Sequence, residues 1–128
     1  VYTCTMQTIL VVEDAIRNRK ILCRLLANGG YLCTQAENGK VGVDLVTENI
    51  EYDFILMDFE MPVMDGPTAT KAIRNLGYKN PIIGITGNVL AMDRKMFMDA
   101  GATNVLFKPL TLALFNDCIK ELLLNKTC

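Results

Sequence analysis

The chain has 128 residues, of which 51% are hydrophobic and 21% charged, and its formal net charge is -1. This length suits one domain with a single core. A nucleic-acid-binding domain usually carries a basic excess, so the near-neutral charge argues against DNA or RNA binding. No apolar stretch approaches the roughly 20 residues of a membrane span, and residues 1–7 lack a signal-peptide pattern. We therefore expect a cytoplasmic domain without membrane contact.

The five cysteines form no CxxC pair, and the chain contains no histidine. This combination argues against the usual cysteine–histidine zinc site. We expect free thiols in a reducing compartment, with disulfides as the alternative.

Short apolar runs alternate with helical patterns from one end of the chain to the other. In chain order, the predicted strands are Thr8–Val12, Tyr31–Ala36, Asp53–Asp58, Pro81–Thr86 and Val105–Phe107. The predicted helices between and after them are Ala15–Asn28, Asn38–Asn49, Pro67–Leu76, Asn88–Ala100 and Leu110–Asn125. This alternation predicts an α/β fold, a single doubly wound (βα)5 domain with a five-stranded parallel sheet and helices on both faces.

Polar residues stand where the predicted strands end. They are Glu13 and Asp14 after the first strand, Asp58 and Thr86 at the ends of the third and fourth, and Lys108 after the fifth. Ligands of such sheets bind outside the carboxyl ends of the strands, so we expect these side chains on one rim. Glu13 and Asp14 could instead only cap the first helix. Their convergence with Asp58 and Lys108 favours a functional site.

The predicted chemistry of this rim is phosphoryl transfer. Three crowded carboxylates repel one another unless a cation compensates, and Mg²⁺ suits carboxylates that act together with phosphate oxygens. A carboxylate beside a divalent ion can attack a phosphoryl group and form an acyl phosphate. We assign this role to Asp58. Lys108 would neutralise charge on the phosphoryl oxygens, and the Thr86 hydroxyl would bond them.

From Ile9 to about Leu124 the sequence resembles the receiver domains of two-component response regulators. The motifs ILVVED, ILMDFEMPVMDG, GITGN and FKPL carry the resemblance, and MDFEMPVMDGPTATKAIR is most similar to receivers of hybrid histidine kinases. The resemblance implies a flavodoxin-like strand order 2-1-3-4-5. It places the receiver domain at 8–126, between a linker or cut end at 1–7 and a tail at 127–128.

The resemblance also implies roles for individual residues in a phosphorelay. Asp58 would accept the phosphoryl group from a phosphohistidine on a histidine kinase or histidine phosphotransfer protein, and the domain would then switch conformation. The cofactor would be Mg²⁺, bound by Asp14, Asp58 and the main-chain carbonyl of Glu60, and by Glu13 through water. Glu60 and Asn88 are expected to flank the site and to tune the lifetime of the phosphate.

One position departs from the family's pattern. Many receivers carry an aromatic residue three positions before the lysine, where this chain has Val105. Valine has no ring to bury, so we expect the signal to pass through Thr86 and the loop and helix that follow it. The Lys108–Pro109 peptide bond is expected to be cis, an option specific to proline.

A partner must supply the phosphohistidine, because the chain has no histidine. The predicted core stripe of the first helix consists of Ile21, Leu22, Leu25 and Leu26, and a different face carries Ile16, Lys20, Cys23 and Ala27. We predict Ile16 and Lys20 as donor contacts, although an exposed isoleucine by itself needs no explanation. The closing helix is apolar on more than one side, so part of it could serve a homodimer or a neighbouring domain.

Three other functions compete with the receiver assignment. A haloacid-dehalogenase-type, Mg²⁺-dependent phosphatase would use Asp58 as its nucleophile, but its further metal acids follow the nucleophile, whereas Glu13 and Asp14 precede it. A flavodoxin-like nucleotide binder needs a phosphate-binding loop after the first strand, where this chain has acids. A receiver that works without phosphorylation is disfavoured because all the reactive residues are present.

Overall fold

The structure, a computed structural model, describes residues 7–88 and 91–124. Residues 1–6 of the predicted linker and the predicted tail at 127–128 lie outside them. In chain order the elements are β1 (Thr8–Val12), α1 (Ile16–Asn28), β2 (Leu32–Ala36), α2 (Gly39–Glu48), β3 (Phe54–Asp58), α3 (Gly66–Asn75), β4 (Ile82–Thr86), α4 (Ala91–Ala100), β5 (Asn104–Phe107) and α5 (Leu112–Leu124). The predicted ends agree within two residues, except at the start of α4, next to the undescribed residues 89–90.

The strands form one parallel sheet in the order β2-β1-β3-β4-β5, which confirms the predicted flavodoxin-like topology. The register aligns the carboxyl ends of the central strands: Val12 lies opposite Met57, and Asp58 lies opposite Ile85. The residues that follow β1 therefore lie beside the end of β3, which in turn lies beside the end of β4.

The central strands are apolar without alternation because both of their faces are covered. Every residue of β3 and of β4 is buried. Two helices after strands begin at polar caps: the Asn38 side chain accepts the Val41 N–H, and the Asp65 side chain accepts the Thr68 N–H. Such caps satisfy amide groups that have no partner within the helix.

Each face of the sheet has its own apolar core. The core under α2, α3 and α4 includes Val46, Ile73 and Phe97, and the core under α1 and α5 includes Leu26 and Phe115. The sheet separates the two cores, so the ends of its strands are held from both sides.

The core face of α1 agrees with the prediction at Leu22, Leu25 and Leu26 and differs from it at two positions. Ile21, predicted to face the core, is 58% exposed, whereas Cys23, predicted on a different face, is only 9% exposed. Cys23 and Leu26 point inward together, and an ideal helix turns about 100° per residue, so Ile21 lies about 200° from Cys23. Because both side chains are apolar, hydrophobicity alone did not determine which one is buried.

The described cysteines agree with the expectation of free thiols. Cys23, Cys33 and Cys118 are not disulfide-bonded. Cys4 and Cys128 lie outside the described residues. On α5, Phe115, Cys118 and Ile119 are buried and Leu114 is exposed, so the apolar character of this helix serves the core to a large extent.

We predict that Gly84→Ala destabilises the domain by about 1–3 kcal/mol, a typical cost of overpacking a core. A Cβ at position 84 would lie 2.6 Å from a ring carbon of the buried Phe97. Gly87→Ala is the matched control, since its nearest neighbour would be 3.9 Å away. Urea unfolding compares the two variants, and equal stabilities would contradict the close packing of α4 on β4.

Candidate functional site

Three carboxylates meet at the carboxyl ends of β1 and β3, as the sequence predicted. Glu13, Asp14 and Asp58 each place one carboxylate oxygen within 4.8 Å of the others. Glu13 and Asp58 are 2% and 6% exposed, whereas Asp14 faces solvent. Two of the acids are therefore held together out of water, where the repulsion between them is large.

Lys108 is the cation of this group. Its Nζ lies 2.9 Å from Asp58 Oδ1 and 3.8 Å from Glu13 Oε1. Burial alone would lower the pKa of Lys108, but the hydrogen bond to Asp58 and the charges of Asp58, Glu13 and Asp14 together raise the pKa above its ordinary value. The Lys108–Pro109 peptide bond is cis, as predicted.

One lysine leaves part of the acidic charge uncompensated. The buried Oε2 of Glu13 has no hydrogen-bond partner among the described residues. Burial, and then the proximity of Asp58, raise the pKa of Glu13 to about 8. A buried oxygen acceptor without a donor, beside two more carboxylates, fits a hard divalent cation such as Mg²⁺.

Thr86 ends β4 and is buried at the same rim. Its Oγ1 accepts the main-chain N–H of Asn88 at 3.0 Å and donates to Asp93 Oδ2, in the first turn of α4, also at 3.0 Å. In this conformation its hydroxyl proton is directed to α4.

An open cleft of about 440 Å³ lies over these groups. Its lining includes Asp58, Thr86 and Lys108, together with Glu60 and Asn88, the two positions predicted to flank the site. Because Asp58 lines this open cleft, its carboxylate can be reached by a small anionic group. A second cavity of about 450 Å³, with apolar walls, adjoins it between α1 and the loop after β5.

Three residues of the site were not predicted from the sequence. Arg19 donates from its guanidinium to the main-chain carbonyl of Glu13 at 2.8 Å and so fixes the start of the acidic loop. Asn18 lines the cleft from the first turn of α1, and its place in the helix that directly follows the acidic pair was a usable signal. Asp93 contacts Thr86 only because of how α4 packs, and the sequence pattern does not reveal this packing.

Val105 occupies the position where the resemblance leads one to expect an aromatic ring. It is buried at 4% exposure, pairs with Gly84 across the sheet and belongs to the same core as Phe97. The valine is thus an ordinary core residue with no ring that could move between two positions.

Comparison with known proteins gives consistent matches. The family described as "Response regulator receiver domain" matches residues 9–120. Sensor histidine kinase RcsC of Escherichia coli K12 is 39% identical over 115 residues, which cover 90% of this chain and 12% of RcsC. Two-component response regulator 24 of Arabidopsis thaliana is 40% identical over 106 residues, 83% of this chain and 76% of that protein. The chain therefore spans about an eighth of the length of RcsC.

A solved structure extends the similarity to three dimensions. The receiver domain of sensor histidine kinase PA1611 from Pseudomonas aeruginosa PAO1 is 36% identical, with a TM-score of 0.82 over 91% of this chain and 97% of that one. Its crystal structure has a magnesium ion coordinated in the active site cleft. Separately, none of the helices in the described part of the chain is long and apolar enough to cross a membrane.

We predict that Glu13→Gln removes a pH-dependent loss of stability. Glu13 binds a proton more tightly in the folded state than in the unfolded state, so the bound proton stabilises the fold. This stabilisation is complete below the unfolded pKa of Glu13 and is lost as the pH rises through about 8. Glutamine stays neutral at every pH. In metal-free buffer, wild type should lose about 3–4 kcal/mol relative to the variant between about pH 5 and pH 8.5.

Urea unfolding at the two pH values measures this difference. Glu48→Gln, at an exposed position of α2, is the control and should behave like wild type at both. If the free energies of unfolding of wild type and Glu13→Gln differed by the same amount at both pH values, burial of Glu13 would have no electrostatic cost.

Proposed function

The chain belongs to the response regulator receiver domain family of two-component signalling, and from this we propose that Asp58 is its phosphoacceptor. The observation that carries the proposal is the placement of this carboxylate. It is buried at the base of an open cleft, 2.9 Å from Lys108 Nζ and within 4.8 Å of carboxylate oxygens of Glu13 and Asp14. A phosphoryl group on Asp58 would replace the carboxylate oxygen that now contacts Lys108, and Lys108 would then lie beside the phosphoryl oxygens.

The proposed step transfers a phosphoryl group from a phosphohistidine to Asp58. An Asp58 oxygen attacks phosphorus, a P–O bond forms, and the P–N bond breaks with its electron pair leaving on the imidazole, which is protonated. Lys108 neutralises charge on the phosphoryl oxygens, and the Thr86 hydroxyl donates to one of them. Attack by water on phosphorus later returns the carboxylate and releases inorganic phosphate.

We propose that Asp14, Asp58 and the main-chain carbonyl of Glu60 hold Mg²⁺ directly and that Glu13 holds it through water. The bound ion supplies positive charge that offsets both the three acids and the incoming phosphoryl group. The buried, unpartnered Glu13 oxygen supports this assignment. The magnesium ion in the similar PA1611 receiver domain supports it independently.

The surroundings of the domain are proposed from its relatives. We infer a hybrid sensor histidine kinase as the parent protein and a histidine kinase or histidine phosphotransfer protein as the donor, in the cytoplasm. The chain itself would catalyse only its own phosphorylation and dephosphorylation. A phosphatase of the haloacid-dehalogenase type is not favoured, because the metal-binding acids Glu13 and Asp14 precede Asp58 in the chain.

We propose α1 as the donor-binding surface, with Ile16 and Lys20 as contacts. Ile16 is 58% exposed at the first residue of α1, beside the acidic loop, and Lys20 is exposed one turn later. Both line a shallow pocket together with Ile21. The exposed Ile21, which the sequence had assigned to the core, therefore extends the apolar part of this surface.

We propose that a second copy of this chain or a neighbouring domain contacts the last helix. Leu114 on α5 is exposed, and so are Met92 and Met96 on α4. Flexible methionine side chains adapt to different partners, so these residues suit such a contact.

We predict that acetyl phosphate and Mg²⁺ add one alkali-labile phosphoryl group to the chain and none to Asp58→Asn. The amide cannot act as the nucleophile, so the adduct should be lost entirely. Intact-mass spectrometry detects the adduct, and Asp44→Asn, at an exposed α2 position, should be phosphorylated like wild type. Sustained phosphate release from many phosphate esters would instead indicate a phosphatase.

We predict that Ile16→Asp slows transfer from a phosphorylated histidine phosphotransfer protein by about 10-fold or more, as expected for a contact worth over 1 kcal/mol. Phosphorylation by acetyl phosphate should be unchanged, because the small donor needs no docking surface. Ile50→Asp, at another exposed isoleucine, should leave both reactions unchanged. Equal transfer rates for Ile16→Asp and wild type would rule out Ile16 as a donor contact.

A further inference from the structure

Asp93 makes a contact that the phosphoacceptor chemistry does not require. Its Oδ2 accepts the hydroxyl proton of Thr86 at 3.0 Å. The same Thr86 oxygen accepts the Asn88 N–H, also at 3.0 Å. Asp93 lies in the first turn of α4 and is half-buried, so the bond joins the end of β4 to a helix outside the acidic group.

The hydroxyl of a threonine has one proton to donate. A phosphoryl oxygen is an acceptor, and so is a carboxylate oxygen. Thr86 can therefore serve a phosphoryl group on Asp58 or the carboxylate of Asp93, but its single proton cannot fully serve both at once. The two acceptors compete for one donor.

We propose that Asp93 is a positioning residue that holds the Thr86 hydroxyl away from the cleft until Asp58 is phosphorylated. The proposal rests on the role of Asp58 proposed above. After phosphorylation, the Thr86 hydroxyl no longer donates its hydrogen bond to Asp93 and donates it to a phosphoryl oxygen instead. The first turn of α4 then loses this connection to β4, and the loss is the conformational signal.

The packing of α4 determines which part of the helix this change can release. Phe97, near the middle of α4, is fully buried and packs edge-to-face on Phe59, with ring centroids 5.4 Å apart. It also fills the space over Gly84, where even a Cβ would clash with its ring. Phe97 therefore anchors the helix on β4, and the turn that carries Asp93 is the part free to change.

Val105 leaves no aromatic ring at its position that could carry the signal, whereas the bond from Thr86 to Asp93 can carry it. The buried valine has no ring to change position when Thr86 moves. A hydrogen bond that switches partner needs only a rotation of the Thr86 side chain. Coupling through Asp93 thus supplies a link from the cleft to the exposed face of α4, where Met92 and Met96 lie.

The test measures binding of beryllium trifluoride, an analogue of the phosphoryl group, in the presence of Mg²⁺ by isothermal titration calorimetry. Asp93→Ala removes the competing acceptor and should tighten binding by about 2- to 10-fold, the range given by the net contribution of one hydrogen bond. Asp93→Asn keeps a weaker, neutral acceptor and should give an intermediate affinity. Asp99→Ala, an exposed position on the same helix, should equal wild type.

A double-mutant cycle separates competition from a purely structural role. In a Thr86→Val background there is no proton to share, so Asp93→Ala should leave the affinity unchanged. The proposal is overturned if Asp93→Ala does not tighten binding, or if it tightens binding equally in the Thr86→Val background. Failure of the wild-type chain to bind the analogue would instead overturn the proposed role of Asp58, and with it this inference.

Discussion

The site depends on one electrostatic constraint: two carboxylates are buried side by side, with one lysine to compensate them. Glu13 and Asp58 are almost completely removed from water, and Lys108 reaches both. Desolvated like charges repel strongly, so the arrangement is stable only if Glu13 is protonated or a further cation binds. This crowding is the physical reason for the proposed Mg²⁺ site, and it accounts for the contact of Lys108 with both acids.

The sheet explains why the crowding persists. Asp58 is the last residue of a strand that is buried along its whole length, and the register with β4 sets its distance from Thr86. Interiors packed this closely deform little, so the acids cannot move apart to relieve their repulsion. The helices differ: α4 is anchored at Phe97, while its first turn is connected to β4 through Thr86 and Asp93. A rigid acceptor beside a turn that can be released suits a domain that converts phosphorylation into a change of shape.

Much of this site could be predicted from the sequence because the spacing of hydrophobic residues, the turn residues and the ends of strands are all local signals. Parallel strands place their carboxyl ends together, so Glu13, Asp58 and Lys108 had to converge once the strands were identified. On α1, Leu22, Leu25 and Leu26 were predicted correctly, whereas Ile21 and Cys23 were not, because both are apolar and only tertiary packing selects between them. The bond from Thr86 to Asp93 was not predicted, since it depends on how α4 packs over β4.

The central claim, that Asp58 carries the phosphoryl group, is tested most directly by locating the modified residue. Borohydride reduces an acyl phosphate of aspartate to homoserine, which leaves a permanent mark in the chain. Peptide mass mapping after treatment with acetyl phosphate, Mg²⁺ and borohydride should find homoserine at position 58 and at no other acid. Reduction at Glu13, Asp14 or Asp93, or no reduced residue at all, would contradict the account.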